Sequence, residues 1–271
     1  MKAMIAPVVS LTQRYKNAPA SAAGSCCALN WLLMLSKNSF LLRYIRKLSL
    51  PVLIFLVLIF LVLFGFAYIA HEVLWEKEEA IDQQIFSFLA THVVSDSRTP
   101  FMESVTYFAS ARFLQIAYGC LFALYLLLKN FKRAFEVIAI GAGGFLVNYF
   151  MKLSFQRVRP PNPLIEPLNN FSFPSGHATS AFIFYGLLAY LLTKTRLPGW
   201  LKYAIGILLI SFSLLIGFSR VYLRVHYPSD VVAGFFIGFA WLLVTIYLME
   251  RQKKKADKEE GGRGEALPQG S

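Results

Sequence analysis

Two histidines stand next to cations and small residues in a chain that is otherwise largely apolar. His177 ends the string Pro174-Ser175-Gly176-His177, and His226 ends a segment that begins with Ser219 and Arg220. A third segment runs from Lys152 to Arg159 and Pro160 and adds three more cations, Lys152, Arg157 and Arg159. Ionisable groups at a membrane boundary are costly and often mark functional sites. The combination therefore indicates phosphoryl transfer on a lipid.

The cations and the glycine-containing turn fit the phosphate part of such a site. Phosphoryl transfer depends mainly on positioning and charge stabilisation, and Lys152, Arg159 and Arg220 supply the charge. Arginine suits bidentate phosphate contacts, whereas lysine acts as a point charge. Ser175 and Gly176 precede an apolar segment, so a helix N-terminus with free amides is expected there. Glycine also allows the backbone to approach a ligand closely.

The segment around His226 fits the chemical part of the site. Pro228 is typical of a first helical turn, which places Asp230 one turn into the helix. Asp230 can then reach back to His226, fix its tautomer and stabilise its cation, which activates His226 as a nucleophile. His177 can protonate the leaving oxygen, after which water would attack the phosphohistidine.

Long apolar segments must position these residues. The chain has 271 residues, 56% hydrophobic and 15% charged, well below the roughly 25% charged residues of soluble domains. Membrane-spanning helices need ~20 apolar residues. Six segments qualify, which predicts an all-α polytopic six-helix bundle: Leu50–Ala70, Val105–Leu128, Ala134–Met151, Thr179–Thr193, Leu201–Phe218 and Val231–Met249.

The predicted bundle occupies residues 46–250. An N-terminal cytoplasmic or interfacial segment (1–45) precedes it, and a disordered cytoplasmic tail rich in Gly, Glu and Lys (251–271) follows it. No cleavable signal peptide is convincing in the N-terminal segment. Three cysteines cannot form a disulfide framework; Cys26, Cys27 and Cys120 are expected to be unpaired.

Loop charge predicts the orientation. Basic clusters precede span one, join spans two and three, join spans four and five, and follow span six. Basic residues concentrate on the cytoplasmic side, so both termini are expected there, in the plasma membrane. Loops 152–178 and 219–230 then lie outside although they are basic, and anion binding explains this exception. In the outer loop 71–112, the segment Glu79–Val94 has helical apolar spacing, which fits an amphipathic surface helix or a plain soluble loop.

The net charge, the histidines and several residues near the spans allow other interpretations. The net charge of +12 follows from residues flanking the spans, so no nucleic-acid partner is expected. Zinc bound by the two histidines and Asp230 is disfavoured, because arginines crowd the same place; no metal and no cofactor are predicted. Arg157 and Arg224 fit either interface anchors or contacts to a substrate head group. Asn148 and the glycines Gly141, Gly143 and Gly144 are expected to serve helix packing.

Together the three strings resemble the signature of the type 2 phosphatidic acid phosphatase (PAP2) superfamily. They read Lys152-x6-Arg159-Pro160, Pro174-Ser175-Gly176-His177 and Ser219-Arg220-x5-His226-x3-Asp230, and the likeness covers about residues 80–248. The resemblance implies a helical bundle and a metal-independent phosphatase that forms a phosphohistidine. It implies His226 as nucleophile, Asp230 as its orienting partner and His177 as acid. It also implies a phosphate shell made by Lys152, Arg159, Ser175, Gly176, His177 and Arg220.

We therefore expect a lipid phosphate or diphosphate in the bilayer to be the substrate, hydrolysed at the outer face of a bacterial plasma membrane. Candidates are undecaprenyl diphosphate, phosphatidylglycerol phosphate, phosphatidic acid and lipid A 1-phosphate. A lipid phosphotransferase and a non-enzymatic lipid-phosphate transporter or binding protein stay open as alternatives, although binding alone does not need the His226–Asp230 pair. Soluble haloperoxidases share the signature, but six spans fit them poorly. The oligomeric state is not predicted.

Overall fold

The structure is a computed structural model that describes residues 50–76 and 79–265. The predicted N-terminal segment 1–45, with Cys26 and Cys27, lies outside those residues; Cys120 is a free thiol. All regular structure in the described ranges is helical: α1 (Leu50–Leu74), α2 (Ala80–His92), α3 (Thr99–Tyr107), α4 (Ala111–Leu127), α5 (Phe131–Phe155), α6 (Gly176–Thr193), α7 (Gly199–Tyr222) and α8 (Pro228–Glu265). This confirms the predicted all-α class.

The chain divides into two compact units, residues 1–56 and 57–271. The described part of the first unit is the start of α1, whose residues 50–56 are apolar and mostly exposed. The second unit holds the rest of α1 and the other helices of the described chain. The loops of interest and every contact discussed below belong to this second unit.

Within residues 50–76 and 79–265, five helices are long and apolar enough to cross a membrane, and α3 with α4 forms a sixth, bent candidate span. The predicted span Val105–Leu128 is therefore wrong in one respect, because it is broken by a bend of 40°. Ser110 caps α4 by accepting a hydrogen bond from the Phe113 amide at 3.3 Å. Such a cap fixes a new helix start inside an apolar segment, which a hydropathy pattern does not detect.

Helix α6 packs against α5, α7 and α8 and is the most buried of the candidate spans. Small residues permit this packing. A Cβ on Gly143 would lie 2.3 Å from the Trp241 ring, and one on Gly144 would lie 2.4 Å from Ile183. Asn148 donates to Thr179 Oγ1 at 3.2 Å, from α5 to α6. The predicted packing roles of these residues are confirmed.

Helix α2 confirms the amphipathic helix predicted over Glu79–Val94, but it buries a different face. Phe86 and Leu89 pack against Val221, Tyr227 and Val231, and Asp82 is buried beside them. Ile81 and Phe88, two apolar residues of the same segment, are 69% and 58% exposed. The buried face includes Asp82 because a partner for its carboxylate lies in the bundle, as described below.

Helix α8 continues to Glu265, so the predicted disordered tail is wrong for residues 251–265. That stretch is rich in Lys, Glu and Arg, which favour a helix, and Lys255 pairs with Glu259 one turn later at 3.9 Å. The polar helix therefore extends the last span beyond its apolar part. Residues 266–271 of the predicted tail lie outside the described chain.

Candidate active site

Three loops converge at one end of the bundle. Helix α5 ends at Gln156, whose left-handed backbone (φ 49°) terminates the helix, and Arg157 and Arg159 follow it. The Ser172 amide donates to the Arg157 carbonyl at 2.8 Å, and the Ser175 amide donates to the Asp230 carbonyl at 3.0 Å. These backbone bonds join the three sequence strings into a single site.

The predicted helix starts are present. Ser175 is the N-cap of α6 and accepts from the Ala178 amide at 3.5 Å, so Gly176 is the first helical residue. Pro228 is the first residue of α8, which places Asp230 in its first turn. The α6 and α8 backbones approach closely here, because a Cβ on Gly234 would lie 2.7 Å from the Ser175 carbonyl oxygen.

Three cations surround the point where the loops meet. Lys152, in the last turn of α5, donates to the carbonyls of Phe171 at 2.5 Å and Ser172 at 3.2 Å. Arg159 donates through Nε to the Asn170 carbonyl at 2.8 Å, and burial lowers its pKa to about 10. These cations are not each paired with a carboxylate. Such an excess of positive charge favours the binding of an anion.

Arg220 is the most buried of these cations, 3% exposed. Its Nη1 donates to Thr106 Oγ1 on α3 at 2.8 Å. Its Nε is buried without a partner among the described residues. A buried N–H needs an acceptor, so the guanidinium is fixed on one side by Thr106 and can donate on the other to a phosphate oxygen.

His226 and Asp230 form the predicted pair. His226 Nδ1 lies 3.4 Å from Asp230 Oδ2, which also accepts from the Tyr227 amide at 2.9 Å and from the Ser172 hydroxyl. His226 Nε2 lies 3.2 Å from Arg159 Nη1 and therefore faces the cations. Burial, followed by the charges of Arg159, Arg220 and Lys152, holds the His226 pKa well below 6.5. The imidazole is thus neutral, with Nε2 directed at the anion position.

His177 is the second residue of α6 and is half-buried. Its ring interacts electrostatically with Arg220, His226, Arg159 and Lys152. The structure therefore brings all eight predicted site residues to one place: Lys152, Arg159, Ser175, Gly176, His177, Arg220, His226 and Asp230. Their geometry allows an anion to be held among the cations beside His226, close to His177.

A cleft of about 490 Å³ leads to the cations. Lys152, Arg157 and Arg159 line its polar part, and its other walls are mostly apolar or amide side chains: Tyr149, Leu153, Val158, Leu168, Asn169, Asn170 and Phe171. A long-chain substrate with an anionic head group matches these two kinds of lining. Among the described residues, no group of three or more His, Cys, Asp and Glu side chains is arranged to hold a metal ion.

Arg157 is not an interface anchor, because it is buried and paired with carboxylates, although it also lines the cleft. Four other residues of the site were not predicted from the sequence: Asp82, Thr106, Ser172 and Gly234. For Asp82 a signal existed, since its spacing from Phe86 and Leu89 places it on the buried face of α2. The other three lie in apolar or loop segments whose pattern does not indicate their contacts. Arg224 is half-buried, with its guanidinium 5.3 Å from the centroid of the Phe86 ring.

Residues 133–254 match the PAP2 superfamily. The chain is 36% identical over 115 residues to phosphatidylglycerophosphatase B from Bacillus subtilis, an alignment covering 42% of this chain and 56% of that protein. It is 29% identical over 211 residues to lipid A 4′-phosphatase from Bacteroides thetaiotaomicron, covering 70% of this chain and 87% of that protein. Thus only about half of the first relative's length is spanned.

A solved structure gives a similar result for the fold. The crystal structure of a transmembrane PAP2 type phosphatidylglycerolphosphate phosphatase from Bacillus subtilis superposes with a TM-score of 0.65 at 26% identity. The superposition covers 71% of this chain and 96% of that chain. The similarity therefore extends over nearly all of the solved protein, beyond the three sequence strings.

Proposed function

This chain belongs to the PAP2 superfamily and spans the membrane several times, and we propose that it is a phosphatase acting on a lipid phosphate monoester or diphosphate. The observation that carries the proposal is the position of His226, whose Nδ1 lies 3.4 Å from Asp230 Oδ2 and whose Nε2 lies 3.2 Å from Arg159 Nη1 in the cation cluster. A nucleophile beside an anion-binding site is what phosphoryl transfer requires. The names of the relatives support a lipid phosphate as the substrate class.

The proposed reaction has two steps. His226 Nε2 attacks the phosphorus atom while Lys152, Arg159 and Arg220 balance the charge on the phosphoryl oxygens. The bond from phosphorus to the leaving oxygen breaks, and that oxygen takes a proton from His177. Asp230 stabilises the His226 imidazolium through Nδ1. Water then attacks the phosphohistidine, gives a proton to His177 and releases inorganic phosphate.

The substrate chain would lie along the apolar part of the cleft beside Tyr149 and Leu153. The head group would reach Lys152 and Arg159 at its polar part. The basic clusters on the opposite ends of the spans support a site on the outer face of the plasma membrane. The four substrate candidates are undecaprenyl diphosphate, phosphatidylglycerol phosphate, phosphatidic acid and lipid A 1-phosphate.

The test measures phosphate release from these four lipids by the purified protein in detergent, with excess EDTA in a parallel series. We expect at least one lipid to be hydrolysed, with the rate unchanged by EDTA because the cations supply the charge that a metal would give. His226→Ala should abolish turnover and the acid-labile phosphoenzyme trapped from labelled lipid. Activity retained by His226→Ala, or lost in EDTA and restored by one metal, contradicts the proposal. Product formed only with an added acceptor alcohol would instead show a phosphotransferase.

A further inference from the structure

Two buried charged residues have no part in the reaction described above. Arg157 is 8% exposed and Asp82 is 4% exposed. Burying an ion is costly unless it is paired and hydrogen-bonded. Both residues lie within one network beside Asp230, so their contacts bear on how the nucleophile is oriented.

Arg157 contacts Asp230 on the side away from His226. Its Nη1 donates to Asp230 Oδ1 at 2.7 Å and to Ser229 Oγ at 2.8 Å. The guanidinium also lies 3.8 Å from the centroid of the Tyr227 ring. Of the two Asp230 carboxylate oxygens, Oδ1 therefore accepts from Arg157, whereas Oδ2 is the oxygen near His226.

Asp82 joins helix α2 to the same place. Its Oδ2 accepts from Arg157 Nη2 at 3.1 Å. Asp82 Oδ1 accepts from the Ser229 amide at 2.9 Å, and Oδ2 also accepts from the Ser229 hydroxyl at 2.5 Å. Ser229 immediately precedes Asp230, so Asp82 fixes both Arg157 and the first turn of α8.

We propose that Arg157 and Asp82 are positioning residues that hold the Asp230 carboxylate in the orientation in which Oδ2 faces His226 Nδ1. The inference rests on the proposed phosphatase function. Arg157 bridges Asp230 and Asp82 with its two Nη atoms, and a lysine ammonium cannot reproduce that planar fork. His226 can therefore react only when α2 is packed in place against the bundle.

The test compares Arg157→Gln, Arg157→Lys and Asp82→Asn with wild type on the best lipid of the panel. Arg98→Gln is the matched control, since Arg98 is exposed and donates only to the Val93 carbonyl. Misplacing a reacting group by ~1 Å costs on the order of 100-fold in rate. We expect Arg157→Gln to lower kcat about 100-fold, and Arg157→Lys to recover only part of it. KM should change much less in both Arg157 variants, because the guanidinium is already hydrogen-bonded to Asp230, Ser229 and Asp82.

The pH dependence of kcat/KM on its acid side distinguishes a positioning role of these residues from a purely structural one. Removing the Arg157 charge should move the acid limb to higher pH, because a lost cation raises the proton affinity of the pair. Removing the Asp82 charge should move it to lower pH. The other charged or titratable groups around His226 stay unchanged in these variants: Lys152, Arg159, His177, Arg220 and Asp230.

Wild-type kcat and an unmoved acid limb in folded Arg157→Gln would overturn the inference while the phosphatase function stands. If Arg157→Gln does not fold, as judged by gel filtration in detergent, the Asp82→Asn and Arg157→Lys variants test the positioning role instead. The inference fails if both retain wild-type kcat and pH dependence. An inactive wild type, or an active His226→Ala, would instead refute the proposed function itself.

Discussion

His226 is neutral because it is buried among cations, and this makes its reactivity dependent on pH in a defined direction. Its pKa lies well below 6.5, with burial as the main cause and the charges of Arg159, Arg220 and Lys152 next. In the proposed mechanism the neutral imidazole is the nucleophile, so it stays competent as pH falls through 6.5. Activity should be lost only as pH falls through the lowered pKa of the folded protein.

The corresponding prediction is that the acid limb of kcat/KM lies below pH 6.5, the ordinary histidine value. Because kcat/KM reports the free enzyme, it is measured over the acidic range with one lipid phosphate. The ionisation of that lipid, followed by phosphorus NMR, serves as the control. Arg159→Gln should move the limb toward higher pH, since one neighbouring cation is gone. A wild-type limb above 6.5 that does not follow the substrate's own ionisation would contradict this account.

Thr106 acts on the phosphate through Arg220, the residue to which it is hydrogen-bonded at 2.8 Å. Hydrogen bonds to charged groups contribute ~1.5–3 kcal/mol. Thr106→Val keeps the shape but leaves Nη1 unpaired, so we expect kcat/KM to fall about tenfold or more. Thr245→Val is the control, because its hydroxyl bonds only to its own helix, at the Trp241 and Leu242 carbonyls. Equal activity of the two variants would show that Thr106 does not position Arg220.

At the level of helices, the contact between α6 and α8 holds the two histidine loops together. It depends on Gly234, where a Cβ would lie 2.7 Å from the Ser175 carbonyl oxygen, a backbone atom. Gly234→Ala must displace one helix start from the other. Overpacking of this kind typically costs ~1–3 kcal/mol, and here it also moves Ser175 and Asp230 relative to each other.

We therefore expect Gly234→Ala to lower the midpoint of thermal unfolding in detergent and to reduce phosphate release more than tenfold. Gly119→Ala is the matched control, because no atom lies within 4 Å of the added Cβ on α4. That change should alter stability by less than about 1 kcal/mol and leave activity intact. A Gly234→Ala protein that behaves like Gly119→Ala would show that the backbone approach is not required.

Local signals made the helix starts predictable, whereas contacts between distant helices were not. Ser175 caps α6 and Pro228 opens α8 through interactions within a few residues, so their sequences indicate them. The ion pair of Arg157 and Asp82 joins residues 75 positions apart, and no local pattern encodes it. The bend between α3 and α4 is not evident from the sequence, because Ser110 stops the helix inside an apolar stretch that looks continuous by composition.

For the whole molecule, sidedness in the membrane decides which lipids the site can reach. Basic clusters before α1, between α4 and α5, between α6 and α7, and in the polar part of α8 fall on one side. The site-bearing loops 156–175 and 223–227 fall on the other. Four clusters on one side outweigh two basic loops that the phosphate site itself explains. We therefore expect the site to lie outside and the polar end of α8 inside.

Cysteine labelling tests that orientation in a background lacking Cys26, Cys27 and Cys120. A cysteine at Glu166, exposed in the site loop, should react with a membrane-impermeant maleimide on intact cells. A cysteine at Lys254, exposed in α8, should react only after permeabilisation. The reverse pattern would place the site in the cytoplasm. It would move the substrate choice from exported lipid carriers to newly made phospholipid precursors, because only those would reach the cleft beside Lys152. The phosphohistidine chemistry would be unaffected, since it depends on the geometry around His226 and not on the side of the membrane.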